Sequence, residues 1–185
     1  MSRSRGVLDE ERGAWHPLAV TLGPIQEGLC RDHAELARLL DAADRGATID
    51  ADAFQAFRGR LLRHIGMEEK LLLPAAKRAR GGAALPLARQ MRLDHAALAA
   101  LLVPTPTPAI VGTLRALLAV HDAMEEGEGG VYAQCEPAAC DALLRALREA
   151  RIPKLAPYQD GPRATASIER LLLAAGRAAM RPQAP

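Results

Sequence analysis

The chain has 185 residues, a formal net charge of +2, 49% apolar residues and only 3% aromatics. That length carries one domain with its own core, so neither a disulfide framework nor a structural metal is needed for folding. The small, mixed charge excludes a general attraction to nucleic acid, and no run of about 18 uncharged apolar residues is present to span a membrane.

Residues 1–16 read as a poorly ordered N-terminal arm. Its basic start lacks a following apolar run, so it is not a signal peptide. His16, beside Pro17, reads as a surface histidine. Residues 17–150 read as a helical bundle with a short following helix, and 151–185 as a loop, a C-terminal helix and a tail. The apolar content is mostly Ala and Leu, which favour helix.

Gly23-Pro24 opens a first helix, with Leu29, His33, Leu36 and Leu40 on one face, and Gly46 stops it. Asp50 caps a second helix over about 51–73, with an inner stripe of Phe54, Phe57, Leu61, His64, Glu68 and Leu72. Pro74 kinks or ends it, and Gly81-Gly82 finishes the segment. A third helix over about 85–102 turns Met91, His95, Leu98 and Leu102 inward. The Pro104–Pro108 run is a turn. The fourth helix starts at Thr107-Pro108, carries Leu114, Leu117, Leu118, His121 and Glu125, and breaks at Gly127, Gly129 and Gly130. Four amphipathic helices with short connections predict an all-α, up-down-up-down four-helix bundle. A short helix follows Pro137, and a final one is expected near 165–180 with a frayed tail after Met180.

Two of these helices carry the same unusual run. "HIGMEE" begins at His64, and "HDAMEE" begins at His121. "DHAEL" at 32–36 and "DHAAL" at 94–98 repeat as well. The set is His33, His64, Glu68, His95, His121 and Glu125. Counted from the connection near residue 48, His33 lies about 15 residues back and His64 about 16 forward, so the two reach similar heights at ~1.5 Å per residue. Glu68 and His95 match likewise about Gly81-Gly82. His95 and His121 match less well about theirs. Within each H-x-x-x-E, the spacing puts imidazole and carboxylate on one face, one turn apart.

Six such groups at one level of a Leu/Ala core would be costly without compensation. A metal supplies it, and imidazole with carboxylate suits iron, with manganese or zinc as substitutes. If both glutamates bridge, the set fills most positions of two six-coordinate ions that share an oxide or hydroxide, and leaves some open. A lone core histidine is usually just hydrogen-bonded, but four on four helix faces, two with carboxylates at i+4, fit metal better. Asp32 and Asp94 are expected to face away from the centre, and Glu69 and Glu126 to be solvated or supporting. Met67, Met124 and Tyr132 read as packing residues. Cys30, Cys135 and Cys140 form an odd set without a C-x-x-C pair and read as idle thiols in a reducing cytoplasm.

The spaced set resembles the hemerythrin-like HHE cation-binding family over roughly residues 16–150. "HIGMEEKLLLP" and "HDAMEEGEGGVY" look like its two signature segments. The resemblance implies a four-helix bundle around a non-haem di-iron centre with terminal histidines and bridging acids. It also implies a partner among dioxygen, peroxide and nitric oxide, with binding or sensing ahead of catalysis. A peroxidase or nitric-oxide-handling enzyme, and a non-redox iron-sensing module, are the alternatives. The oxygen carriers of that family add a histidine one turn after the third-helix ligand, where this chain has Ala99. Glu69, Glu126 and Tyr132 are the residues near enough in sequence to take its place.

Overall fold

The computed structural model describes residues 6–8, 15–17 and 22–182. The expected N-terminal arm falls mostly outside them. Its described parts, Gly6–Leu8 and Trp15–Pro17, pair as two antiparallel strands. From residue 22 onward every regular element is helical, in line with the Ala/Leu-rich composition. Among the described residues, no helix is long and apolar enough to cross a membrane.

Helix α1 (Pro24–Ala43) begins with proline in its first turn, where the missing N–H leaves no hydrogen bond unmade. The connection to α2 (Ala51–Met67) is closed by the Asp50 N–H donating to the Ala43 carbonyl at 2.8 Å. Asp50 caps α2, accepting from the Ala53 N–H at 3.0 Å.

Beyond Met67 the helix does not stop. Glu68–Leu72 is a π-helical turn in which the Leu73 N–H reaches back to the Glu68 carbonyl, and α3 (Leu73–Ala79) continues through Pro74. The sequence had suggested a kink or end at that proline. The wider turn already interrupts the ordinary i→i−4 pattern, so the missing N–H of Pro74 falls in the first turn of a new α segment, where it is tolerated. Gly81 and Gly82, at φ +64° and +96°, then reverse the chain.

Helix α4 spans Ala88–Leu101, and α5 spans Pro108–Glu126 under a Thr107 cap. Their connection settles the mismatch in the His95 and His121 counts. From His95 to the end of α4 the chain rises about 9 Å, and from the start of α5 to His121 it falls about 20 Å. The proline-rich 102–107 segment is therefore a climbing link rather than a tight turn, and the two histidines arrive level.

A reversal follows α5. The Gly130 N–H donates to the Gly127 carbonyl at 2.7 Å, with Gly129 at φ +69°. It leads into the short helix α6 (Val131–Cys135), which packs on α1, α3 and α5. Helix α7 is Asp141–Glu149 and α8 is Pro162–Ala174. The last helix is thus shorter than the expected 165–180, because Gly176 at φ +74° ends it before a 3₁₀ turn at Ala178–Met180. Helix α8 lies along α4, and α1 lies along α2.

The core divides in two. Leu36, Leu40, Phe54, Phe57, Leu61 and Leu98 belong to one apolar cluster. Ile25, Leu29, Met67, Leu72, Met91 and Tyr132 belong to the other. Each histidine of α1, α2 and α4 sits in sequence between a residue of one cluster and a residue of the other, so the polar groups form a layer across an otherwise apolar interior.

Gly130 is where the backbone admits no side chain. A Cβ there would lie 2.5 Å from the Glu125 carbonyl oxygen and 2.8 Å from that of Gly127. Gly130→Ala is expected to destabilise the protein by about 2 kcal/mol, as overpacking against fixed atoms does. Thermal or denaturant unfolding measures it, and an unchanged midpoint would refute the close fit.

Candidate metal centre

The six donors come from four helices and the π turn, and all six are buried. His33 Nε2 lies 2.9 Å from His64 Nε2, and His95 Nε2 lies 3.1 Å from His121 Nε2. The carboxylates stand between the two pairs. Glu68 Oε2 is 3.1 Å from His95 Nε2 and 3.5 Å from His64 Nε2. Glu125 Oε1 is 3.1 Å from His121 Nε2, while Oε2 is 3.4 Å from His33 Nε2. Two groups able to hold an ion result: Glu68, His95, His121 and Glu125, and His33, His64 and Glu125. Glu125 belongs to both.

The π turn follows Glu68. The Glu68 N–H still bonds the His64 carbonyl as in an α-helix, so the i,i+4 spacing itself brings Glu68 to the donors, and the wider turn shifts the rotation only of the residues after it. Glu69 faces α4.

Tyr132 was read from the sequence as packing, and the structure gives it more. Its hydroxyl is 2.7 Å from Glu68 Oε1, 3.0 Å from Glu125 Oε2 and 3.0 Å from His33 Nε2. It sits on the His33–His64 side of the centre. Asp122 is a second group the sequence reading passed over; its Oδ1 lies 3.8 Å from His33 Nε2.

The outer nitrogens of the imidazoles are held by carboxylates adjacent in sequence to the donors. His64 Nδ1 is 3.1 Å from Asp32 Oδ2, His95 Nδ1 is 2.8 Å from Glu69 Oε1, and His33 Nδ1 is 2.6 Å from Glu126 Oε1. His121 Nδ1 faces Asp94 Oδ2 at 3.7 Å, beyond a hydrogen bond. The links run α1 to α2, π turn to α4, α4 to α5, and α5 back to α1. Asp32 and Asp94 had been expected to face away. On a helix the residue before a donor is turned by about 100°, and in this packing that direction meets the next helix rather than water.

These carboxylates are themselves held. Arg63 Nη1 donates to Asp32 Oδ2 at 3.0 Å, and Arg60 also donates to Asp32. Arg92 pairs with Glu69. Arg177, just after α8, donates to both oxygens of Asp94, and Gln90 joins it. The C-terminal segment, for which the sequence offered no role, thus reaches the centre through Asp94.

Burial opposes protonation of the imidazoles, yet nearby carboxylates prevail in the metal-free protein. Glu125, Asp122 and Glu126 lift His33 to about 9; Glu68 and Glu69 lift His95 to about 9; Asp94 and Glu125 lift His121 to about 10. Burial would raise Asp32, but His64, Arg60 and Arg63 hold it at about 2. Burial, with Glu68 and Glu125 beside it, pushes the Tyr132 hydroxyl well above its ordinary value.

The donor set fits a metal. Glu68 Oε2 and Glu125 Oε1 are buried without a hydrogen-bond partner, and both face imidazole Nε2 atoms. Buried carboxylate oxygens in that state call for a cation. The set holds nitrogen and oxygen only, as iron, manganese and zinc accept. No family model, curated protein or solved structure matches the chain.

Two outcomes are expected. The raised histidines stabilise the metal-free fold fully below their ordinary 6.5, and that contribution is lost as pH rises through about 9 to 10. The melting temperature of metal-free protein should therefore fall between pH 7 and pH 10, and bound metal, which displaces the same protons, should flatten the fall. Glu126→Gln should weaken metal binding by about 10- to 100-fold, read by competition with a chelator; unchanged affinity would remove Glu126 from its orienting role.

Proposed function

We propose that this chain is a hemerythrin-like protein in which α1, α2, α4 and α5 form a four-helix bundle around two iron ions, and that it binds or senses dioxygen or a related small ligand. The observation that carries this reading is the shared carboxylate. Two histidine pairs, each with its own side of the layer, have Glu125 in common, and Glu68 lies within 3.5 Å of an imidazole from each pair. A mononuclear site has no use for that duplication. His33 and His64 would hold one ion, His95 and His121 the other, with Glu68 and Glu125 between them. Zinc or manganese could occupy the same donors. The three cysteines are free thiols, which suits a cytoplasmic setting.

An iron pair in its reduced state supplies two electrons to a bound ligand. The rest falls to the protein. The carboxylates beside the Nδ1 atoms fix the imidazoles of His33, His64 and His95 so that Nε2 faces inward. The apolar clusters above and below limit water entry. Tyr132, kept protonated by its surroundings, holds a hydrogen at the centre within reach of the donors.

Ala99 stands where an oxygen carrier of that family would have a further histidine, so the His95–His121 side has one donor fewer than it would in such a carrier. This favours sensing or turnover over reversible carriage. Tyr132 favours a second reading, reduction of peroxide or nitric oxide, because a phenol so placed can give a proton to a bound oxygen atom.

Elemental analysis of protein purified from its native host is expected to find about two iron ions per chain, with charge-transfer absorption in the oxidised form. His33→Ala should retain about one ion, whereas Glu125→Ala, which cuts both groups, should retain fewer. Equal loss in the two variants, or a single zinc ion in the native protein, would count against the dinuclear iron reading. Steady-state consumption of hydrogen peroxide or nitric oxide separates an enzyme from a binder.

A further inference from the structure

The segment after α7 passes over the outer face of α2. Arg63 Nε donates to the Ala150 carbonyl at 2.7 Å, and Arg58 Nη1 donates to the Ala156 carbonyl at 2.8 Å. Tyr158 donates its hydroxyl to Gln55, and the Gln159 N–H reaches the Val103 carbonyl. Between this strap, α2 and α4 lies a cavity of about 490 Å³. Its walls are mainly apolar: Leu62, Ile65, Leu102, Val103 and Pro153, with Ala99 among them.

Three cations line the same space: Arg58, Lys70 and Lys154. Arg58 is the informative one. It is 5% exposed, and its charge meets only the Ala156 carbonyl and the Tyr158 ring, 4.6 Å from the guanidinium carbon. Its Nε is buried with no hydrogen-bond partner. Among the described residues, neither Arg58 nor either lysine forms an ion pair. The one carboxylate in the wall, Glu69, is engaged by Arg92 and His95. Buried arginines ordinarily have carboxylate partners, because desolvating an unpaired charge is expensive. This one has none in the protein.

We propose that the cavity binds a small organic carboxylate whose charged head is taken by Arg58 and Lys154 and whose apolar body lies along Leu62, Leu102 and Val103. The volume is in the range of small-molecule sites, about 300–1,000 Å³. The apolar walls select against a fully hydrated inorganic anion, which would leave oxygens facing hydrocarbon. The unpaired guanidinium selects against a neutral ligand. None of the six metal donors lines the cavity, although Glu69 in its wall also holds His95.

The test is titration calorimetry with octanoate on the full-length protein, alongside octan-1-ol and inorganic phosphate. Octanoate is expected to bind saturably, with a Kd below about 1 mM, and octan-1-ol about 10-fold or more weakly, since it lacks the charge. The variant Lys154→Gln alters only an exposed side chain. It should lose about 10-fold in octanoate affinity while keeping its melting temperature. Methyl resonances of Leu62 and Val103 should shift on binding. Equal binding of the alcohol, binding of phosphate but not octanoate, shifts confined to other residues, or unaltered affinity in Lys154→Gln would each overturn the assignment.

Discussion

Each of the four buried imidazoles turns its outer nitrogen toward a carboxylate on a neighbouring element, and those carboxylates sit next to donors in the sequence. Asp32 precedes His33 and serves His64; Glu69 follows Glu68 and serves His95; Glu126 follows Glu125 and serves His33. Asp94 precedes His95 and faces His121. One dipeptide thus supplies an inward group and a sideways one, separated by the 100° step of the helix. The rest of the polar layer depends on this arrangement. It removes rotational freedom from His33, His64 and His95, and it brings negative charge to His33, His95 and His121, which burial would otherwise keep neutral.

Such a layer is expensive in the middle of an Ala/Leu interior, and the surrounding structure is organised to bear it. Apolar clusters close it from both ends. Arginines compensate the supporting acids from the outside: Arg60 and Arg63 at Asp32, Arg92 at Glu69, Arg177 at Asp94. Arg63 also donates to main-chain carbonyls at the end of α7. The C-terminal third of the chain is therefore tied to the centre through guanidinium groups rather than through a shared hydrophobic face alone. Arg58 lies against the same strap but has no acid to hold, which sets it apart from the other four.

The interruptions in regular helix lie close to the site. The π turn begins at Glu68. The glycine-rich reversal begins one residue after Glu126 and delivers Tyr132 to the layer. The proline-rich link before α5 brings His121 level with His95. Each is a departure from uniform helical rise or rotation, and the last two place polar side chains that a uniform helix would have put elsewhere.

The inward stripes were legible in the sequence, because burial follows helical period. Leu29, His33, Leu36 and Leu40 share one face of α1, and Phe54, Phe57, Leu61 and His64 one face of α2, on spacing alone. The caps at Asp50 and Thr107 were legible for the same local reason, and the repeated H-x-x-x-E and D-H-A runs singled out the six donors. What lay beyond the sequence depends on which helix is next to which. Asp32 could be assigned to His64, and Asp94 to Arg177, only once α1 met α2 and the segment after α8 met α4. The depth of Tyr132 depended on a reversal whose direction is set by three glycines with little local preference. Side-chain type and spacing are local properties, so the chain declares them by itself; partners across 30 to 100 residues are chosen by packing, and only the folded molecule decides them.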